Sequence, residues 1–176
     1  TNINYKFIIE KILKKADIQA NLLLEPNGKG TTAAFYLSSK LAQENDLNIY
    51  LPSDHYIDDE KLFLQLLNFS LKNYYTDNWI TYGIQPTFPH DGFGYIETKK
   101  SLKKIKNYEF SEVKSFTEKP SVIKAKKMLK SKNYFWNSGV FLATKELIQK
   151  TIKLNEPDIA KKCDIVWKKK IKNNNY

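Results

Sequence analysis

Two stretches carry side chains in patterns that can do chemistry. The first is Asn48-Ile49-Tyr50-Leu51-Pro52-Ser53-Asp54-His55. An apolar run closed by turn residues reads as a buried strand ending at Pro52. Asp54 follows directly, so its carboxylate falls at the carboxyl end of that strand, the edge where open α/β sheets bind ligands. A single aspartate there, beside a phosphate-bearing substrate, suits Mg²⁺, which takes one or two carboxylates and fills its shell with phosphate oxygens and water. The same residue type also serves as a helix cap or a solvated turn residue. The second stretch is Glu25-Pro26-Asn27-Gly28-Lys29-Gly30-Thr31-Thr32, a proline- and glycine-rich loop. A helix opening directly after such a loop turns backbone N–H groups toward an anion or a base. The loop lacks the upstream glycine and the glycine-lysine-serine/threonine order of a P-loop, and ordinary strand-to-helix turns use the same residues.

The elements that position these stretches follow from periodicity. Tyr5, Ile8, Ile9, Ile12 and Leu13 recur at helical spacing and predict an amphipathic helix over residues 4–15. Leu22-Leu23-Leu24 reads as a short buried strand. After the glycine loop comes a helix with Ala33, Ala34, Leu37 and Leu41 inward and Thr31 or Thr32 as its N-cap. Leu62, Phe63, Leu66, Leu67, Ser70 and Leu71 form a second stripe, expected to pack in the core. Residues 79–84 form a strand. This alternation predicts an α/β fold with a mostly parallel sheet and crossover connections. From Pro86 to Glu97 the chain is rich in turn and aromatic residues and reads as a loop entering a strand. Strand-like stretches at 102–105 and 113–116 then predict a small antiparallel excursion. Ser121 caps a helix carrying Val122, Ala125, Met128 and Leu129, residues 134–142 become a buried strand, and helix follows from Lys145 with a break near Pro157. His55 and His90 read as turn or surface residues without partners, and Trp136 as a packing residue.

Composition narrows the class. A chain of 176 residues with 41% hydrophobic and 14% aromatic residues suits one globular domain. One cysteine, Cys163, argues against a disulfide framework and a zinc cluster. A reducing, cytoplasmic setting fits, and no apolar run has the length of a membrane span. The net charge of +10 favours acidic partners, although its lysines are spread through many segments. The block Lys168-Lys169-Lys170-Ile171-Lys172 is the local exception.

Five stretches together resemble bacterial mannose-1-phosphate guanylyltransferases: the loop from Glu25 to Ala34, Leu51 to His55, Gly83 to Glu97, Phe116 to Pro120, and Trp136 to Phe141. Each is weak alone; all five stand in the family's order. The resemblance implies a three-layer, Rossmann-like (GT-A-like) nucleotidyltransferase fold, incomplete at both ends. It implies transfer of a nucleotidyl group from GTP to mannose 1-phosphate, giving GDP-mannose and pyrophosphate, with Mg²⁺ as cofactor. By the same resemblance, Glu25, Gly28, Gly30 and Thr31 bind the nucleotide, and Asp54 binds the metal. Lys119 meets phosphate, and Gly94, Tyr95, Glu118 and Asn137 bind the sugar. No nucleic acid and no membrane are expected as partners; a homo-oligomer is possible. The chemistry agrees, because nucleotidyl transfer needs alignment, a metal and positive charge and no protein nucleophile.

The sequence departs from the pattern at Lys29, Gly30 and Ala33, where the family usually carries arginine, asparagine and proline. The resemblance covers a middle portion of the catalytic domain, without the family's opening glycine-rich loop and a downstream metal aspartate. A fragment with little activity alone is therefore expected. Two other readings stand beside this one. One is a nucleotidyltransferase for a different sugar phosphate or base. The other is a basic single-stranded nucleic-acid-binding module using lysines and tyrosines, against which stands the lack of an RNP, KH or helix-turn-helix signature.

Overall fold

The computed structural model describes residues 1–28, 30–73, 77–105 and 108–169, with the side chains of residues 100–105 excepted. Lys29 and residues 170–172 of the basic tail lie outside the described residues. The chain divides into two compact units, Thr1–Asn48 with Thr144–Tyr176, and Ile49–Ala143.

The first unit is helical. A 3₁₀ turn, Ile3–Tyr5, leads into α1 (Lys6–Lys15), followed by α2 (Thr31–Ser39), α5 (Lys145–Asn155) and α6 (Pro157–Lys169). Helices α2, α5 and α6 pack together. Tyr36 and Ser39 of α2, Ile148 and Ile152 of α5, and Ala160 and Cys163 of α6 recur at three- or four-residue spacing and form their buried faces. The ends are set locally: Thr144 Oγ1 accepts from Leu147 N–H at 3.2 Å, and Pro157 opens α6, where a missing N–H costs nothing. Tyr36 Oη donates to Asp164 Oδ1 at 3.1 Å, and Lys40 Nζ reaches the same oxygen at 2.5 Å. These contacts fasten α2 to α6.

Three expectations change in this unit. Leu22-Leu23-Leu24 is not a strand. Thr1 N donates to Leu23 O, and the neighbouring Glu25 donates its N–H to Thr1 O and accepts from Ile3 N–H. A single bridge, Asn2 opposite Glu25, replaces a ladder. Neither Thr31 nor Thr32 caps α2: the cap position is Gly30, and it makes no side-chain bond. Leu41 lies past the end of α2 and is exposed, while the inward positions belong to Tyr36 and Ser39.

The second unit holds the sheet. Its elements are the end of β1 (Leu47–Tyr50), α3 (Glu60–Lys72), β2 (Ile80–Ile84), β3 (Tyr95–Ile105), β4 (Tyr108–Thr117), α4 (Val122–Leu129) and β5 (Tyr134–Thr144). Strand order is β1-β5-β3-β4, with β2 also paired to β5. β3 and β4 form the antiparallel hairpin expected from the sequence, with Tyr95 opposite Thr117 and Ile105 opposite Tyr108. Tyr95, Ala125 and Met128 form a buried cluster against which Tyr134 and Trp136 pack. Asp59 caps α3 through Leu62 N–H, and Ser121 caps α4 through Lys124 N–H.

The α/β class stands, but the ladder direction does not follow the sequence reading. β2 with β5, β3 with β4 and β3 with β5 are all antiparallel. The expected parallel arrangement assumed that strands consecutive in the chain are neighbours, whereas β5 enters late and lies beside both β2 and β3. β1 also ends at Tyr50, before Pro52, and Ile49 and Leu51 are exposed. In α3, Phe63, Leu66, Leu67 and Phe69 are half-buried, with Phe69 on the rings of Tyr108 and Phe110, while Leu62 and Leu71 remain exposed.

Candidate functional site

The second unit brings together three of the residues singled out for the sugar. Gly94 ends the aromatic loop just before β3. A Cβ on it would lie 2.6 Å from Glu118 Oε2 and 3.5 Å from Asn137 Cβ. Asn137 N–H donates to Gly94 O at 2.8 Å, which ties β5 to this loop. A side chain here would displace the carboxylate end of Glu118. Glu118 is exposed and its carboxylate has no hydrogen-bond or ion-pair partner among the described residues. Asn137 is half-buried, and its Oδ1 accepts from Thr81 Oγ1 and from Gly139 N–H, each at 3.2 Å. Its Nδ2 bonds to no described residue.

Lys119 is exposed and has φ of +44°. A left-handed backbone costs a side-chain-bearing residue roughly 1–2 kcal/mol. A following proline, here Pro120, restricts this residue further. Strain of this kind persists where the surroundings impose it, commonly at ligand clamps.

Asp54 lies in a turn four residues past β1. It is exposed and does not cap α3, a task taken by Asp59. The turn comes close to β5: a Cβ on Gly139 would meet Pro52 Cγ at 3.1 Å and His55 Cε1 at 4.0 Å. Gly139 has φ of +70°, a conformation that favours glycine.

Tyr95 is fully buried, so its ring does not line a surface. Its hydroxyl accepts from His90 N–H at 3.1 Å and thereby holds the loop that delivers Gly94. His90 is not a partnerless surface residue. Its ring stacks on Phe93 at 4.0 Å between centroids, and its Nδ1 accepts from Gly92 N–H at 2.9 Å. Trp136 joins Phe88 and Phe93 edge-on, which confirms it as a packing residue. Sequence reading missed Thr81 and Gly139. The only sequence signal for either was a polar residue and a glycine inside strands.

In the first unit, Gly28 and Gly30 are exposed ahead of α2, and Thr31 is its exposed first residue. Gly30 has φ of +94°. Glu25 is half-buried, with its backbone held by Thr1 and Ile3. Burial pushes the Cys163 thiol upward, with the charge of Asp164 and, least, that of Glu25 adding to it against Lys40.

The nucleotidyl transferase family model matches residues 1–176, and the chain belongs to that family. A mannose-1-phosphate guanylyltransferase of Escherichia coli is 34% identical over 165 residues, covering 90% of this chain and 36% of that protein. Another from Salmonella montevideo is 34% identical over 169 residues, covering 93% of this chain and 36% of that protein. The chain thus spans about a third of the length of these curated relatives. A solved structure described as mannose-6-phosphate isomerase from Helicobacter pylori is 29% identical with a TM-score of 0.83, covering 96% of this chain and 63% of that one. The nucleotidyltransferase-type α/β fold is the one expected from the sequence.

Proposed function

We propose that this chain forms part of a sugar-phosphate nucleotidyltransferase that joins GTP to mannose 1-phosphate, giving GDP-mannose and pyrophosphate. The observation that carries the reading is the approach of both Glu118 and Asn137 to Gly94. An acceptor-only carboxylate and an amide with free donors, both beside a position with no side chain, suit sugar hydroxyls. Family membership and the names of the Escherichia coli and Salmonella relatives support the choice of substrates. The rival nucleic-acid-binding reading is not favoured by that membership. Among the described residues, no helix is long and apolar enough to cross a membrane. We place the protein in the cytoplasm, with the whole chain as one nucleotidyltransferase domain.

The family generally uses a divalent metal. Among the described residues, no group of three or more His, Cys, Asp or Glu could hold a metal ion. One exposed carboxylate is still a fitting donor set for Mg²⁺, whose remaining ligands are phosphate oxygens and water. Asp54 would hold it, and the bound ion would neutralise charge on the triphosphate.

The chain's own residues do the rest. Glu118 and Asn137 orient the sugar ring. Lys119 places its ammonium against the phosphate of the sugar, whose oxygen forms the new bond to the α-phosphorus as the bond to pyrophosphate breaks. Tyr95 acts from the core by holding the loop that carries Gly94. The amides of Gly28, Gly30 and Thr31 face the nucleotide, and Glu25 accepts from guanine N1–H and its N2 amino group, two neighbouring donors that one carboxylate can meet together.

Calorimetric titration of the 176-residue chain in Mg²⁺ buffer tests this, with mannose 1-phosphate, GDP-mannose, GTP, UTP and an oligonucleotide as separate ligands. Saturable binding of the first three, tighter than UTP and lost for the sugar phosphate in Glu118→Gln, is expected. Absence of sugar-phosphate and sugar-nucleotide binding, or a preference for the oligonucleotide, overturns the proposal.

A further inference from the structure

We infer that Thr81 is a positioning residue which fixes Asn137 as a hydrogen-bond donor, and that this orientation selects a ligand hydroxyl over a charged group. The inference rests on the sugar-phosphate reading above and adds to it what sets the polarity of the site.

An asparagine amide can be turned either way, and only its neighbours decide which end faces the ligand. Here two neighbours decide. Gly139 N–H can only donate, and it lies 3.2 Å from Asn137 Oδ1. Thr81 Oγ1 lies 3.2 Å from the same oxygen. Both lone pairs of Oδ1 are therefore addressed from the protein side. The two hydrogens on Nδ2 are left for the ligand, since Nδ2 bonds to no described residue.

The ladder between β2 and β5 explains how these groups come together. Thr81 is opposite Phe141 and Gly83 is opposite Asn137. Between those pairs β2 supplies only Tyr82, while β5 supplies Ser138, Gly139 and Val140. The surplus forms a bulge, a device that re-aims side chains and is frequent beside active sites. With φ of +70° at Gly139, the bulge turns the Gly139 N–H back onto the Asn137 side chain. Thr81 sits on the unbulged strand. Its hydroxyl also lies 3.1 Å from Val140 O, so one proton is shared between the backbone of the bulge and the amide it aims.

The consequence is chemical. Glu118 offers only acceptors and Asn137 offers only donors, and both side chains lie beside Gly94. A hydroxyl, or two neighbouring hydroxyls, donates to one and accepts from the other. A carboxylate or phosphate oxygen would be repelled by Glu118, and an ammonium would find no acceptor at Asn137.

Thr81→Val keeps the shape and β-branching of the side chain and removes only the hydroxyl; Thr81→Ser restores the hydroxyl. Two readouts are taken. The first is the ordering and hydrogen exchange of the Asn137 side-chain amide in the free chain by ¹⁵N NMR, its signals assigned with Asn137→Ala. The second is the calorimetric affinity for mannose 1-phosphate and, separately, for GTP. Thr81→Val is expected to loosen the Asn137 amide and to weaken mannose 1-phosphate about tenfold, the scale of one lost hydrogen bond. GTP affinity stays the same, and Thr81→Ser recovers both readouts. An Asn137 amide unchanged in Thr81→Val, or sugar phosphate and GTP weakened alike, overturns the inference. Bound sugar phosphate with an unaffected Thr81→Val overturns the role of Thr81 alone. An unmodified chain that binds no sugar phosphate overturns the functional reading, and the selection of a hydroxyl falls with it.

Discussion

Gly94→Ala separates ligand recognition from folding more cleanly than removal of any polar side chain. The added methyl would sit 2.6 Å from Glu118 Oε2 and 3.7 Å from its Cδ. That is well inside the ~3.5 Å at which nonbonded heavy atoms rest, so something must move. The 3.5 Å approach to Asn137 Cβ is ordinary contact. The group that moves is the exposed end of Glu118, which no described residue holds. Folding should therefore change by no more than the ~0.5 kcal/mol usual for surface substitutions. A reduced unfolded-state entropy opposes even that, by about 0.4–1 kcal/mol. Binding is another matter. On the proposed reading, swinging the carboxylate aside removes a charge-assisted hydrogen bond to the sugar, worth about 1.5–3 kcal/mol. At a factor of ten for every ~1.4 kcal/mol, affinity for mannose 1-phosphate should fall roughly ten- to a hundredfold. Calorimetry gives the affinity and thermal unfolding gives the stability. Undiminished affinity, or a melting temperature that falls in step with affinity, would refute the reasoning.

Gly139→Ala should act in the opposite sense, on folding. Its φ of +70° and the 3.1 Å approach to Pro52 Cγ leave no conformation free of strain. A loss of roughly 1–2 kcal/mol is expected from the backbone alone, read as a lower urea midpoint; an unchanged midpoint would count against the bulge. The clamp on α6 should make stability depend on pH in two windows. The hydrogen bond and charge of Lys40 hold the Asp164 carboxyl below its ordinary range. Its contribution is present above the unfolded value of 3.8 and is lost as pH falls through the lowered folded value. Burial, followed by the bond to Asp164, pushes the Tyr36 hydroxyl from 10.0 to about 12. That contribution is full below pH 10.0 and is lost as pH rises toward about 12. Urea titrations across pH should show the acid limb shrinking in Asp164→Asn, and an undiminished limb would assign it to other carboxylates.

What could be read from the sequence was what is local. Ser121 as a cap, and the helix from Lys145 with its break near Pro157, depend on neighbours three or four residues away. The β3–β4 hairpin is also local, with its two strands adjacent in the chain. Leu22-Leu23-Leu24 shows the limit. Its composition is that of a strand, but a strand needs a partner along its length, and among the described residues the structure sets here only Asn2 opposite the neighbouring Glu25. The sheet direction failed for a related reason: β5 pairs with β2 and β3 from a distance that periodicity does not encode.

The site divides along the same line. Glu118 and Asn137 were found because they lie in stretches resembling a family, not because their types and spacing demand a sugar. Their meeting depends on Gly94, and no pattern along the chain announces that a glycine is empty for the sake of two residues 24 and 43 positions onward. Thr81 is less legible still. In a strand its β-branched side chain is ordinary, and nothing local distinguishes a threonine that aims an amide from one that fills a sheet. The distinction appears only when β5 is laid beside β2 with its surplus at 138–140. On the proposed reading, the side chains that first touch the ligand are thus reached through resemblance. What decides whether Asn137 offers a donor or an acceptor is a backbone irregularity and a hydroxyl on the neighbouring strand, and both exist only in the folded register.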